Sequence, residues 1–157
     1  MGLRYIKICM GKKINSNFLG IFIYFLYICL KNIMIKLLLI MLFMHIVDDY
    51  YLQGILASMK QKSWWPKQEG YRDIYKNDYK MALVMHSMSW SVMIIIPAMV
   101  MLNIPSYILL GLFIINAAIH YYIDDLKANQ HKINLILDQS VHMAQVIATW
   151  LIICQWF

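Results

Sequence analysis

Residues 105–124 read PSYILLGLFIINAAIHYYID, an apolar run opened by proline and closed by a histidine and, four residues later, an aspartate. A helix needs about 20 apolar residues to cross the hydrocarbon core of a bilayer, and this stretch carries no Lys, Arg, Asp or Glu before Asp124. Three more stretches of comparable length lie at 33–52, 81–102 and 139–157, and a shorter one at 18–30. Only Asn103-Ile104-Pro105 separates the runs at 81–102 and 105–124, so those two form an antiparallel hairpin. The expected fold is all-α: a polytopic membrane bundle with four core transmembrane helices in residues 34–157. Residues 1–33 read as a basic segment and anchor helix ahead of it, or as an extended start if the chain begins at Met34.

Composition agrees with that class. Of 157 residues, 62% are hydrophobic and only 14% charged, unlike an average soluble domain. The net charge of +6 does not imply nucleic-acid binding, because Lys and Arg cluster between apolar segments, where they set orientation. Cys9, Cys29 and Cys154 are too scattered for a disulfide framework or a zinc knuckle and read as small hydrophobes, while the 13 methionines read as packing filler. Arg4, Lys7, Lys12 and Lys13 precede the 18–30 run as in a secretory signal, yet no small-residue cleavage pattern follows.

The segment 53–80 carries Lys60, Lys62, Lys67, Arg72, Lys76 and Lys80, and 125–138 carries Lys127 and Lys132, whereas the Pro105 turn has no charge. Both basic loops are therefore expected in the cytoplasm and the Pro105 turn outside, with Lys31 and Lys36 running against the rule. Tyr71, Tyr75 and Tyr79 recur every four residues, as on an amphipathic interfacial helix, and Trp64-Trp65-Pro66 reads as an interfacial anchor.

Polar groups recur at one level of these segments. His45-x3-Asp49, His120-x3-Asp124 and Asp138-x3-His142 each place two side chains on one helix face, and His86 stands alone near the start of its segment. In each pair the histidine is the deeper residue, by about 6 Å. Ionisable groups inside membrane segments are costly and mark function by default. Imidazole and carboxylate are the ligand set of zinc, manganese and iron, and bundle cores hold such ions with inward-facing side chains. His45, Asp49, His86, His120, Asp124, Asp138 and His142 are thus expected metal ligands, for one or two divalent ions. Asp49, Asp124 and Asp138 are the expected catalytic carboxylates, with Gln53 and Gln139 as amides orienting ligands or contacting substrate. Asp48 and Asp125 point about 100° away from their neighbours and read as solvated charges at the headgroup level. His131 has no partner at helical spacing, and neither Ser87 nor Ser140 is placed as a nucleophile.

The blocks His45-Ile-Val-Asp-Asp-Tyr-Tyr-Leu-Gln53, the lone His86 after a basic loop, His120-Tyr-Tyr-Ile-Asp124-Asp-Leu-Lys127 and Leu137-Asp138-Gln139-Ser-Val-His142 resemble a small bacterial and phage membrane family, domain of unknown function 3307. The resemblance covers about residues 36–150, and implies a four-helix membrane core in a bacterial or phage-infected inner membrane. Asp48 stands where a small residue is expected and Asp125 where an aromatic one is common. More faintly, the pattern is similar to small membrane metal-dependent hydrolases.

The expected activity is hydrolysis of a phosphorylated or lipid-like substrate reached from the cytoplasmic leaflet, with Lys60, Lys62, Lys67 and Arg72 attracting an anionic headgroup. Topology alone also accounts for those lysines. The alternatives are a structural His–Asp network in a non-enzymatic membrane effector, and a proton or ion pathway. The apolar runs 92–102 and 107–115 oppose a pathway. Carboxylates one turn from three of the histidines oppose axial ligation of haem.

Overall fold

The computed structural model describes residues 16–156 and is helical throughout, with no strand among the described residues. Helix α1 spans Ser16–Ile46 and passes directly into a π-helical turn, Val47–Leu52. The apolar stretches at 18–30 and 33–46 thus belong to one element, because Lys31-Asn32 holds neither proline nor glycine to interrupt it. Gly54, in the left-handed region at φ 50°, ends the run. The basic residues Arg4, Lys7, Lys12 and Lys13, with Cys9, lie outside the described residues.

A short helix α2 (Leu56–Met59) and two 3-10 turns, Trp65–Lys67 and Asp73–Asn77, carry the chain back to α3 (Asp78–Met101). The tyrosines at 71, 75 and 79 do not share an α-helix, because Arg72 is extended and only the 3-10 turn separates it from α3. Trp64 and Trp65 meet edge to face at 5.1 Å, and Trp65 donates to the Met59 carbonyl at 2.8 Å, closing this loop upon itself. The hairpin at Pro105 forms as the sequence implies, with α4 at Ser106–Ala128. α5 (Leu135–Cys154) opens on Asn134, whose side chain accepts from the Leu137 amide at 2.9 Å. His131 adopts φ 54° in the α4–α5 connection, and that left-handed residue reverses the chain.

α3 and α4 pack together, α1 packs on α3 and α5, and α4 completes the ring against α5. Leu37, Met41, Trp90, Ile94, Val146 and Ile153 fill the centre. Outward positions are apolar too: Leu39, Phe43, Val100, Leu110 and Leu151 are all more than half exposed, as suits lipid rather than water. Three helices among the described residues are long and apolar enough to cross a membrane: α3 with its preceding turn, α4 and α5. Alternating helix directions bring the end of α1, the start of α3, the end of α4 and the start of α5 to one end of the bundle.

Candidate metal centre

All seven expected ligands converge at that end. His45, His86, His120, Asp124, Asp138 and His142 are 3% exposed or less, and the Asp49 side chain is 5% exposed. Burial on this scale is costly for ionisable groups unless they find partners.

At the centre, two imidazole nitrogens and two carboxylate oxygens face one another. His86 Nε2 lies 3.0 Å from His120 Nε2, 3.3 Å from Asp49 Oδ1 and 3.5 Å from Asp124 Oδ2. His120 Nε2 lies 3.9 Å from Asp49 Oδ1 and 3.8 Å from Asp124 Oδ2. Four ligands at about 2.1 Å around a tetrahedral ion are about 3.4 Å apart, so these five separations bracket the edges of such a tetrahedron. Asp49, His86 and His120 form one ligand triad, and His120, Asp124 and His142 a second that shares the middle residue.

The surroundings orient these groups. Gln53 Nε2 lies 3.0 Å from His86 Nε2 and 3.4 Å from Asp49 Oδ1. Gln139 Nε2 donates to Asp49 Oδ2 at 3.2 Å and to Asp138 Oδ2 at 3.1 Å. Both amides expected beside the ligands are therefore in contact with them. His45 also joins the cluster, but its Nδ1 accepts the Trp90 indole hydrogen at 2.8 Å. A neutral imidazole has one acceptor nitrogen, so an ion on His45 Nδ1 would displace the Trp90 hydrogen, as one on His86 Nε2 would displace the hydrogen that Gln53 Nε2 donates at 3.0 Å. The Trp90 ring stacks on His120 at 4.3 Å, and His120 stacks on His142 at 4.0 Å.

Asp48 is not a solvated charge. It is 1% exposed, its Oδ1 accepts from Ser89 Oγ at 2.7 Å, and its Oδ2 faces His86 Nδ1 at 3.6 Å. The cause is the π turn: i→i+5 bonding winds the backbone more widely than an α-helix, and both Asp48 and Asp49 reach the interior. Asp125 stays outside the cluster, accepting from Asn129 and Gln130 at 2.8 Å each.

Two lysines from the basic loops also enter. Lys60 Nζ donates to Asp124 Oδ2 and Lys127 Nζ to Asp138 Oδ2, each at 2.6 Å. Lys60 is 9% exposed, so it faces the cluster and not the headgroups. Asn129 clamps its segment, donating to the Lys60 carbonyl at 3.1 Å and accepting from the Lys62 amide at 2.7 Å. Four carboxylates thus meet two ammonium groups, a shortfall of two positive charges with the histidines neutral. A buried acceptor-rich set of that charge suits a divalent cation.

Below the histidines a polar chain runs one to two turns deeper, from Gln145 to Asn116 to Thr149. Helical spacing could have found it: Asn116 is four residues before His120, Thr149 four after Gln145, and Trp90 four after His86. Ser89 is three residues after His86 on the same helix and Asn129 four after Asp125, whereas no such spacing marks Lys60, which arrives through tertiary packing. Above the cluster, a cavity of about 380 Å³ opens toward the loops, lined by Asp49, Gln53, Lys60, Asp124, Lys127 and Gln139 among others. His131 sits on its rim. Ser87 and Ser140 bond to carbonyls of their own helices and are not poised as nucleophiles.

The buried His/Asp cluster among apolar helices is compatible with a membrane metal-binding site. No protein-family model, curated protein or solved structure matches the chain, and the resemblance to domain of unknown function 3307 stands on the sequence blocks alone.

Proposed function

We propose that the protein is a metal-dependent hydrolase of the bacterial inner membrane, with four spanning helices (α1, α3, α4 and α5) and its metal site at the cytoplasmic end. The observation that carries this reading is the quartet of Asp49 Oδ1, His86 Nε2, His120 Nε2 and Asp124 Oδ2, in which each imidazole nitrogen lies 3.0–3.9 Å from the other and from both carboxylate oxygens in a buried, electron-rich site. These four residues would hold a zinc, manganese or iron ion. When bound, such an ion supplies Lewis acidity and lowers the pKa of water at the site.

The chain's own residues do the rest. Asp48 Oδ2 lies 3.6 Å from His86 Nδ1, longer than a hydrogen bond, and puts a buried negative charge behind that ring. Gln53 and Gln139 hold Asp49 from two sides. Lys60 and Lys127 at the cavity wall attract an anionic group to the ligands. A phosphorylated or lipid-like substrate fits a polar cavity at the end of a lipid-facing bundle. Lys62, Lys67 and Arg72 are exposed on the loop and draw anionic headgroups to that surface.

The two lysine–aspartate pairs favour a second reading, in which the network locks the bundle without an ion. A pathway across the membrane is less favoured, because the polar chain ends at Thr149 and Ile94, Ala98 and Ile153 are buried apolar residues.

Elemental mass spectrometry of the detergent-purified protein, beside an Asp49→Ala, His120→Ala double variant, separates the two. Stoichiometric metal in the wild type, lost in the variant, is expected and would be followed by assays of phospholipid and lipid-phosphate hydrolysis. No metal in either sample after incubation with added ions would leave the structural network.

A further inference from the structure

The α5 side of the cluster holds a donor set of its own, fixed from the bundle core upward. Asn116 Nδ2 donates to the Leu112 carbonyl and to Thr149 Oγ1, each at 2.9 Å, which makes Asn116 Oδ1 an acceptor. Gln145 Nε2 donates to the Asn116 carbonyl at 3.1 Å and to Asn116 Oδ1 at 3.3 Å. Gln145 Oε1 is then the acceptor facing His142 Nδ1 at 3.3 Å, so the ring hydrogen sits on Nδ1. In a neutral imidazole this leaves Nε2 as a bare lone pair.

That lone pair faces two more. Asp124 Oδ1 lies 3.4 Å from His142 Nε2, and Asp138 Oδ1 lies 3.5 Å away. Asp138 is fully buried and its Oδ1 has no hydrogen-bond partner, while Lys127 and Gln139 hold Oδ2. A lone pair with a carboxylate oxygen on each side at 3.4 and 3.5 Å, all on buried side chains, is repelled by both unless a positive charge lies among them.

We propose that Asp124 Oδ1, Asp138 Oδ1 and His142 Nε2 form a second divalent-cation site, and that the Asp124 carboxylate bridges it to the quartet through Oδ2. The inference rests on the quartet binding an ion and extends it to a two-metal centre. A shared carboxylate is the usual bridge in centres whose ions lie about 3.5–4 Å apart. Two divalent ions more than fill the two-charge shortfall, and the surplus calls for an anionic reaction partner. A phosphoryl group in the cavity between Lys60 and Lys127 has that chemistry. The rival occupant of the second site is a proton, which would make His142 an imidazolium between two carboxylates.

The full chain is loaded with manganese(II) alone, freed of excess ion, and measured by elemental mass spectrometry and electron paramagnetic resonance. Two manganese ions per chain with an exchange-coupled spectrum are expected in the wild type. Asp138→Asn and Asp49→Asn should each fall to one ion, with the hyperfine pattern of an isolated one. One ion in both the wild type and Asp138→Asn overturns the second site and leaves the quartet standing. Two ions retained in Asp138→Asn also overturns it, and no ion in any sample overturns both sites. Should a variant fail to fold, the coupling in the wild-type spectrum decides alone.

Discussion

Lys60 places its ammonium nitrogen 2.6 Å from Asp124 Oδ2 across 64 residues of chain, with both side chains nearly closed to solvent. Removing one partner of a buried pair costs about 3–5 kcal/mol, because the other charge stays buried and uncompensated. Lys60→Met should therefore strongly destabilise the chelated protein. With zinc bound, Asp124 has another cationic partner and the loss should shrink. Thermal unfolding of both proteins, with chelator and with zinc, checks this. An equal loss in the two conditions would mean that Asp124 takes no ion.

Asp48 is the buried carboxylate behind His86, reached by the π turn and held by Ser89. Losing such an outer partner of a ligand histidine costs about 10–100-fold in metal affinity. Asp48 Oδ2 stands 3.6 Å from His86 Nδ1, longer than a hydrogen bond, so Asp48→Ala should lose about tenfold, the low end of that range, in a zinc titration. Asp125→Ala, one residue from a ligand but bonded only to Asn129 and Gln130, should stay within a few-fold of wild type. Equal effects from the two would remove Asp48 from the centre.

The contrast between these neighbouring aspartates marks how far the sequence is legible. Side chains four apart share a helix face whatever the tertiary fold, so His45/Asp49, His120/Asp124 and Asp138/His142 could be paired by counting. Common depth then followed from where each pair falls in its apolar run. Asp48 broke the counting because the backbone leaves α-helical winding at Val47, a change that no residue type in Val47–Leu52 announces. Lys60 was hidden for a different reason: positive residues in a loop are explained by topology, while the Asn129 clamp and the Asp124 carboxylate, both distant in sequence, hold this one inward. The tyrosine spacing misled in the opposite sense, since a period of four needs a continuous helix to become a stripe and the chain at Arg72 is extended.

Trp90 supports two histidines in different ways, through its indole hydrogen to His45 and its ring face to His120. Trp90→Phe keeps an aromatic ring but leaves His45 Nδ1 buried without a donor, at about 1–3 kcal/mol. Trp90→Ala also opens a cavity in the core and should cost about 3–5 kcal/mol. Denaturant unfolding of the two variants is expected to rank phenylalanine well above alanine. If both lose the same stability, the hydrogen bond carries the whole effect and the stacking none.

Orientation decides from which side a substrate reaches the cavity. Lys62 and Asn103 are both exposed, the first on the loop that covers the cavity and the second at the opposite end of the bundle. The basic loops carry the charge that the cytoplasmic side retains. With the native cysteines changed to serine, Asn103→Cys should react with a membrane-impermeant maleimide on intact cells. Lys62→Cys should react only after permeabilisation. The reverse pattern would place the cavity on the outer face and replace the cytoplasmic leaflet with the outer one as the source of substrate. Labelling of both positions in intact cells would contradict a bundle that crosses the membrane with its two ends on opposite sides.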